Sequence, residues 1–120
     1  MILKPFIKTN IRIVNIKNHD KTEHDFYIGR PSIFGNPYSH KDNSIADFIV
    51  DSRNESIDLY RKYFYYRIES GDKVFIDELD RMIDYYKEHG KLNISCFCAP
   101  KRCHGDIIKE YLENKLRNII

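Results

Sequence analysis

Residues 91–116 constrain the fold of this 120-residue chain more than any other stretch of the sequence. Alternating apolar side chains over residues 91–98 predict a strand, and apolar side chains at helical spacing over residues 106–116 predict a helix. The turn between them contains all three cysteines of the chain. A strand that passes through such a turn into a helix is typical of α/β proteins, which commonly bind ligands where strands end and helices begin.

The rest of the sequence completes this α/β pattern. Residues 11–16 and 25–28 are predicted strands that could pair as a hairpin. Two amphipathic helices are predicted from residue 54 to Gly71 and from Asp72 to Gly90. Residues 39–51 stay ambiguous, with either a short helix or a strand over 45–50. We therefore expect one α/β domain over residues 1–120, with a small sheet of about three or more strands, flanked by helices in Rossmann-like layers.

Composition excludes several protein classes. Hydrophobic residues at 42% and charged residues at 32% describe an ordinary globular chain. No apolar run approaches the roughly 20 residues of a membrane helix, and the N-terminus shows no signal peptide, so we expect no membrane partner. A net charge of +2 is too small to indicate nucleic acid by itself, which makes that ligand unfavoured. Nothing in the composition indicates an oligomeric state.

Three clustered cysteines predict reduced thiols rather than a disulfide framework, which favours the cytoplasm. The thiols of Cys96, Cys98 and Cys103 with the imidazole of His104 could bind a structural zinc ion, although the spacing lacks the common Cys-x-x-Cys pairs. Alternatively, the cysteines are small buried side chains. A nucleophilic thiolate is a third reading, favoured at Cys98 and Cys103 because they lie closer to the helix N-terminus. Apart from zinc, no cofactor is predicted.

The end of the same turn has two readings as well. Asp106 can cap the last helix or contact a ligand. Gly105 lets the backbone approach an anion closely, and the basic residues Lys101 and Arg102 suit either an anion site or a solvated turn.

A second cluster of polar residues lies in the loop of residues 29–38. Gly29 and Gly35 permit close backbone contacts, and the guanidinium of Arg30 matches a phosphate or carboxylate. Ser32 and Asn36 offer neutral hydrogen bonds. Two prolines in the loop also fit a purely structural turn. Arg53, with Glu55 as its expected local partner, is a further candidate anion contact.

These motifs together resemble a domain-of-unknown-function family that is frequent in tailed phages and their bacterial hosts. The resemblance covers roughly residues 11–116. It depends on the loop pattern Tyr-Ile-Gly-Arg-x-Ser-x-x-Gly-Asn-Pro at residues 27–37, which Tyr38 follows as an aromatic, and on Cys-x-Cys-x-Pro-x-x-Cys-His-Gly-Asp at residues 96–106. The family often has Trp where this chain has Phe97. The resemblance implies a small intracellular α/β domain whose two loops form one site, and it assigns no reaction.

Our leading hypothesis places the 29–38 loop and the 98–106 turn on either side of one pocket for a phosphorylated small molecule, either a nucleotide or an ADP-ribose-like compound. Such a protein would process or sequester nucleotides, in the host cytoplasm if a phage encodes it. Glycosidic cleavage would need a carboxylate such as Asp106 or Glu55 near the sugar, whereas binding would need none. The alternative is a zinc-stabilised module that binds protein or nucleic acid through its Cys/His cluster. The predicted ligand-binding residues are Gly29, Arg30, Ser32, Gly35, Asn36, Arg53, Cys98, Pro100, Cys103, His104, Gly105 and Asp106.

Overall fold

A computed structural model describes residues 9–39, 48–99 and 101–119. It confirms the predicted class: a small α/β fold with a three-stranded sheet flanked by three helices. The elements in chain order are β1 Ile11–Asn15, β2 Asp25–Tyr27, β3 Tyr38–Ser39, β4 Phe48–Ile49, α1 Arg53–Glu69, α2 Lys73–His89, β5 Leu92–Cys96 and α3 Gly105–Ile119.

The predicted hairpin between the first two strands is wrong. Strand β5 lies between β1 and β2, and both neighbours pair with it in parallel. Ile94 at the centre of β5 faces Ile13 on one side and Phe26 on the other. All five residues of β5 are buried, as expected for a central parallel strand covered on both faces. Pairing β1 with β2 instead would leave β5 at an edge of the sheet.

A second, two-stranded sheet joins β3 to β4 in parallel. The ambiguous stretch over residues 45–50 is therefore strand at residues 48–49, while residues 45–47 lie outside the described part of the chain. Strand β3 begins at Tyr38, the last residue of the 29–38 loop, so this small sheet fixes where that loop ends.

The boundaries of α2 follow the predicted caps. The side chain of Asp72 accepts a hydrogen bond from the N–H of Phe75 and begins α2, and Gly90 ends it in the left-handed conformation at φ 69°. Ser52 begins α1 by accepting from the N–H of Glu55. Helix α3 starts at Gly105, one residue before the predicted start, and continues to Ile119.

The core lies where the three helices meet the sheet. Its fully buried members come from every layer: Tyr60 and Phe64 from α1, Phe75 from α2, Ile94 from β5 and Ile108 from α3. Among the described residues, no helix is both long enough and apolar enough to cross a membrane.

Candidate functional site

A cleft of about 280 Å³ opens at the C-terminal ends of β2 and β5. The 29–38 loop forms one wall, the turn after β5 forms another, and the first turn of α1 closes the third side. The carboxyl ends of parallel strands are where open α/β sheets bind ligands. The two segments that the sequence motifs single out therefore meet in one cavity.

Most of the predicted ligand-binding residues line this cleft: Gly29, Arg30, Asn36, Arg53, Cys98, Cys103 and His104. Four others belong to the same two segments but do not line it: Ser32, Gly35, Gly105 and Asp106. Pro100 lies outside the described residues.

The 29–38 loop is shaped by two successive turns. The N–H of Ser32 donates to the carbonyl of Gly29 at 2.8 Å, and the N–H of Gly35 donates to the carbonyl of Ser32 at 2.9 Å. A Cβ at Gly35 would lie 3.1 Å from the Cα of Arg30 and from the carbonyl oxygen of Ser32, so only glycine fits without moving backbone. Gly35 thus lets the loop fold on itself, which explains its place outside the cleft lining.

Asn36 fastens the loop to helix α1. Its Nδ2 donates to Ser56 Oγ at 2.8 Å, and its Oδ1 accepts from the N–H of Tyr38 at 2.9 Å. Ser56 Oγ in turn donates to the carbonyl of Tyr38 at 2.8 Å. The sequence hypothesis gives the Asn36 side chain to a ligand, but both of its polar atoms are bonded within the protein.

The charged residues in the described lining of the cleft are three arginines, with no carboxylate among them: Arg30, Arg53 and Arg102. Arg30 Nη1 donates to the carbonyl of Asn36 at 2.6 Å. Arg53 Nη1 reaches the carbonyl of Arg102 only at 3.5 Å. Each guanidinium has five N–H donors, so these bonds use a fraction of its capacity.

The local partner predicted for Arg53 is wrong. Glu55 Oε2 accepts from the backbone N–H of Asp51 at 3.2 Å, which keeps this carboxylate on the loop before α1. The sequence left open whether Arg102 belongs to an anion site or to a solvated turn. Its side chain contacts the start of α1, where Nη1 donates to Asn54 Oδ1 at 3.1 Å. Its ion pair with exposed Asp58, at 3.5 Å, contributes little.

His104 lies at the inner end of the cleft and is buried. Its Nε2 is 2.8 Å from the carbonyl oxygen of Ile28, which can only accept, so Nε2 carries the proton. Burial and, to a lesser extent, the charge of Arg30 together lower the pKa of His104 to about 4. At neutral pH this imidazole is neutral.

Of the two cysteines in contact, Cys96 has its thiolate stabilised and Cys103, which the helix dipole favours, does not. Cys96 Sγ lies 3.5 Å from Cys103 Sγ. The hydrogen bond from Cys103, with those from the backbone N–H groups of Cys98 and Ala99, lowers the pKa of Cys96 to about 6. The same contact and burial raise the pKa of Cys103. The turn folds back on the strand end, so its N–H groups stabilise the residue that precedes them.

The described residues do not assemble the predicted zinc site. They include no group of three or more His, Cys, Asp or Glu side chains placed to hold a metal ion. Three of the four expected ligands have other partners: Cys96 and Cys103 contact each other, and His104 Nε2 bonds to the carbonyl oxygen of Ile28.

Gly105 and Asp106 shape the turn from behind the cleft. A Cβ at Gly105 would lie 3.0 Å from Ile28 Cδ1 and 3.3 Å from Cys103 Sγ, so glycine permits close packing of α3 on the sheet. Asp106 Oδ2 accepts from the N–H of Cys103 at 3.3 Å. Both residues therefore support the turn without lining the cleft, and the anion contact expected of them stays a prediction.

Comparison with known proteins places the chain in a family. The pattern of the domain of unknown function DUF4326 matches residues 11–114. The chain belongs to the DUF4326 family. It is 34% identical over 107 residues to an uncharacterized 12.4 kDa protein from the nrdA-td intergenic region of Enterobacteria phage T4, which covers 88% of this chain and 82% of that protein. No solved structure matches the chain significantly.

Sequence reasoning missed several residues that line the cleft of this DUF4326 chain: Tyr27, Ser39, Ser56, Ile57 and Phe97. Ser56 and Ile57 lie three and four positions after Arg53, a spacing that places them on the same face of α1 and that was available in the sequence. Tyr27 and Phe97 meet edge to face, with ring centroids 6.1 Å apart. Their contact joins two distant segments, so no local pattern indicates it.

Proposed function

We propose that this protein binds a phosphorylated small molecule, a nucleotide or an ADP-ribose-like compound, in the cleft between the 29–38 loop and the 98–106 turn. The observation that carries the proposal is the charge of the cleft. Three guanidiniums line its described part and no carboxylate does; the ion pair of Arg102 with exposed Asp58, at 3.5 Å, contributes little. Arginine matches the oxygens of a phosphate through a planar fork of donors.

The surroundings of the arginines add to this preference for anions. The first turn of α1 contributes Arg53 and Ser56 to the lining, so the positive end of the helix dipole lies beside the cleft. His104 adds no charge because it is neutral at neutral pH. The thiolate of Cys96 offsets only one of the three guanidiniums, which leaves the lining positive.

The dimensions of the cleft favour a ligand of about mononucleotide size. Its volume of about 280 Å³ is at the lower end of the range for small-molecule pockets. Tyr27 and Phe97 border it with exposed rings, and flat apolar rings of this kind stack on bases.

The described lining supports binding rather than cleavage of a glycosidic bond. Such cleavage needs a carboxylate near the sugar, and the two candidates, Asp106 and Glu55, do not line the cleft. We place the protein in the cytoplasm, that of the host if a phage encodes it, in keeping with three free cysteines and a phage relative.

Thermal denaturation with a panel of nucleotides, ADP-ribose, sugar phosphates and inorganic phosphate tests the proposal. A ligand at a hundred times its Kd stabilises the native state by about 2.7 kcal/mol and raises Tm accordingly. We expect at least one phosphorylated compound to do so and its non-phosphorylated analogue to have no effect.

Arg53→Gln is the informative variant, and Arg61→Gln is its matched control. Arg61 is on the same helix but pairs with Glu110 at 3.0 Å, away from the cleft. We expect affinity to fall at least about tenfold in Arg53→Gln, equivalent to about 1.4 kcal/mol, and to stay unchanged in Arg61→Gln. An absence of stabilisation by every phosphorylated compound would refute the proposal, as would equal affinities in the two variants.

A further inference from the structure

We propose that Cys96 is the nucleophile of a phosphoryl-transfer reaction in the cleft, attacking the phosphorus of the bound ligand. This inference rests on the proposed function and extends it from binding to catalysis. It assigns the protein a reaction class, the hydrolysis of a phosphorylated compound through a covalent thiophosphate intermediate.

The place of Cys96 in the fold carries the first part of the argument. It is the last residue of β5, the central strand, and it lines the cleft at the carboxyl end of the sheet. Its sulfur lies 3.5 Å from the Cys103 thiol, which can donate to a Cys96 thiolate, and it is hydrogen-bonded by the backbone N–H groups of Cys98 and Ala99. Donors that converge on a sulfur atom stabilise its anionic form, which is the nucleophilic form of cysteine. The lowered pKa of Cys96 agrees with this geometry.

The arginines carry the second part. A thiolate and a phosphate repel each other unless positive charge surrounds both. Arg102 belongs to the turn that begins at Cys96, while Arg30 and Arg53 come from the other two walls. Guanidiniums around a phosphoryl group also stabilise the charge on its equatorial oxygens during transfer. The same three residues therefore permit the encounter and favour the reaction.

The reaction proceeds in two balanced steps. In the first, the Cys96 thiolate attacks phosphorus, an S–P bond forms, the P–O bond to the leaving group breaks, and the leaving group departs with that electron pair. In the second, water attacks phosphorus and the P–S bond breaks, which returns the thiolate and releases inorganic phosphate. The proton from the water goes to the departed group or to solvent.

The lining also predicts which substrates react. No carboxylate lines the described part of the cleft, so no such acid protonates the leaving group. Leaving groups that are stable as anions, such as the phosphate of an anhydride or a phenolate, are therefore expected to react faster than simple alcohols.

Hydrolysis of p-nitrophenyl phosphate and of a nucleoside diphosphate tests the inference, with Cys96→Ser and Arg61→Gln compared with the wild type. Arg61 pairs with Glu110 at 3.0 Å and does not line the cleft, which makes Arg61→Gln the control for a change away from the site. We expect wild type and Arg61→Gln to turn over and Cys96→Ser to lose at least a hundredfold in kcat. Acid quenching of the wild type should trap phosphate on the peptide that contains Cys96.

The experiment distinguishes a failure of the proposed catalysis from a failure of the proposed binding. Stabilisation of wild type and Cys96→Ser by inorganic phosphate, without turnover or a trapped adduct in the wild type, would overturn the nucleophile and leave the proposed function intact. Alkylation of the wild type by iodoacetamide near pH 7 gives a second readout that does not depend on a variant folding. We expect modification at Cys96 that inorganic phosphate slows, and modification of Cys98 alone, with no protection, would contradict the inference.

Discussion

Cys96 and His104 lie in one cleft, and burial opposes the charged form of both side chains with opposite outcomes. At Cys96, three hydrogen-bond donors outweigh the loss of solvent, so the charged form is favoured. At His104, the loss of solvent outweighs the single acceptor on Ile28, so the neutral form is favoured. The number of hydrogen bonds that hold the charged form decides between these outcomes.

The hydrogen bond from Cys103 is expected to be the main source of the Cys96 thiolate. Replacing Cys103 by Ala removes that donor and keeps the burial. In a Cys98→Ser background, the midpoint of the pH profile for Cys96 alkylation should rise from about 6 by at least about one unit, toward the ordinary cysteine value of about 8.5. Peptide mass spectrometry after timed alkylation measures this midpoint. An unchanged midpoint would mean that the backbone N–H groups alone account for the lowered pKa of Cys96, which would contradict the expected role of Cys103.

His104 should make the stability of the protein depend on pH. Its pKa is about 4 when folded and 6.5 ordinarily, so the unfolded chain binds the extra proton first as the pH falls. The stabilisation is complete above pH 6.5 and is lost progressively toward pH 4, by about 2 kcal/mol between pH 7 and pH 5. Urea denaturation at both pH values measures this loss.

His104→Gln serves as the comparison because it does not titrate and retains a donor for Ile28. Its free energy of unfolding should change by about 2 kcal/mol less than that of the wild type over the same interval. The Asp25 carboxyl, whose pKa is about 2, titrates below this interval and does not interfere. Parallel losses in the two proteins would show that His104 is not the group responsible.

At the scale of elements, the 29–38 loop depends on helix α1 for its shape. The hydroxyl of Tyr60 donates to the carbonyl of Phe34 at 2.8 Å, and the Ser56 hydroxyl bridges Asn36 and Tyr38. These bonds hold one wall of the cleft against the helix that contributes Arg53. Loop and helix therefore form a single unit around the ligand position.

Ser56→Ala should weaken this unit. The change leaves the buried amide of Asn36 and the carbonyl of Tyr38 without the shared partner, which costs about 1–3 kcal/mol of stability. Ser70→Ala, at the exposed end of the same helix, should cost less than about 0.5 kcal/mol. Urea denaturation measures the free energy of unfolding of the two variants. Equal losses would show that the Ser56 hydroxyl does not stabilise the loop.

Gly35 and Gly90 should respond differently to alanine. At Gly35 the new Cβ meets backbone of Arg30 and Ser32, so the loop must shift and affinity for the phosphorylated ligand should fall. At Gly90 no atom lies within 4 Å of the new Cβ, and the cost is only about 1 kcal/mol for the left-handed conformation. Calorimetric titration should therefore show a weaker ligand affinity in Gly35→Ala alone. Unchanged affinity in Gly35→Ala would show that the shape of the 29–38 loop does not determine ligand binding.

At the scale of the whole molecule, local patterns predicted the elements and missed their arrangement. Apolar spacing and the caps at Asp72 and Gly90 mark the helices because these signals are short in range. Strand β2 pairs with β5, which follows more than sixty residues later in the chain. Nothing in the sequence near β2 therefore contradicted the predicted hairpin. The meeting of the two loops was expected from the motifs, whereas the stabilisation of Cys96 depends on how the turn folds back in three dimensions.

The position of β5 between β1 and β2 has a consequence for how the protein is made. Neither of those strands has its neighbour in the three-stranded sheet until the ribosome has added residue 96. During most of translation, the backbone groups of the β1 and β2 segments are therefore unpaired. Helices α1 and α2 likewise have no completed sheet to pack against. Such late, distant pairing slows folding and exposes nascent chains to aggregation. Fragments that stop before residue 92 should therefore bind chaperones and be cleaved readily by proteases.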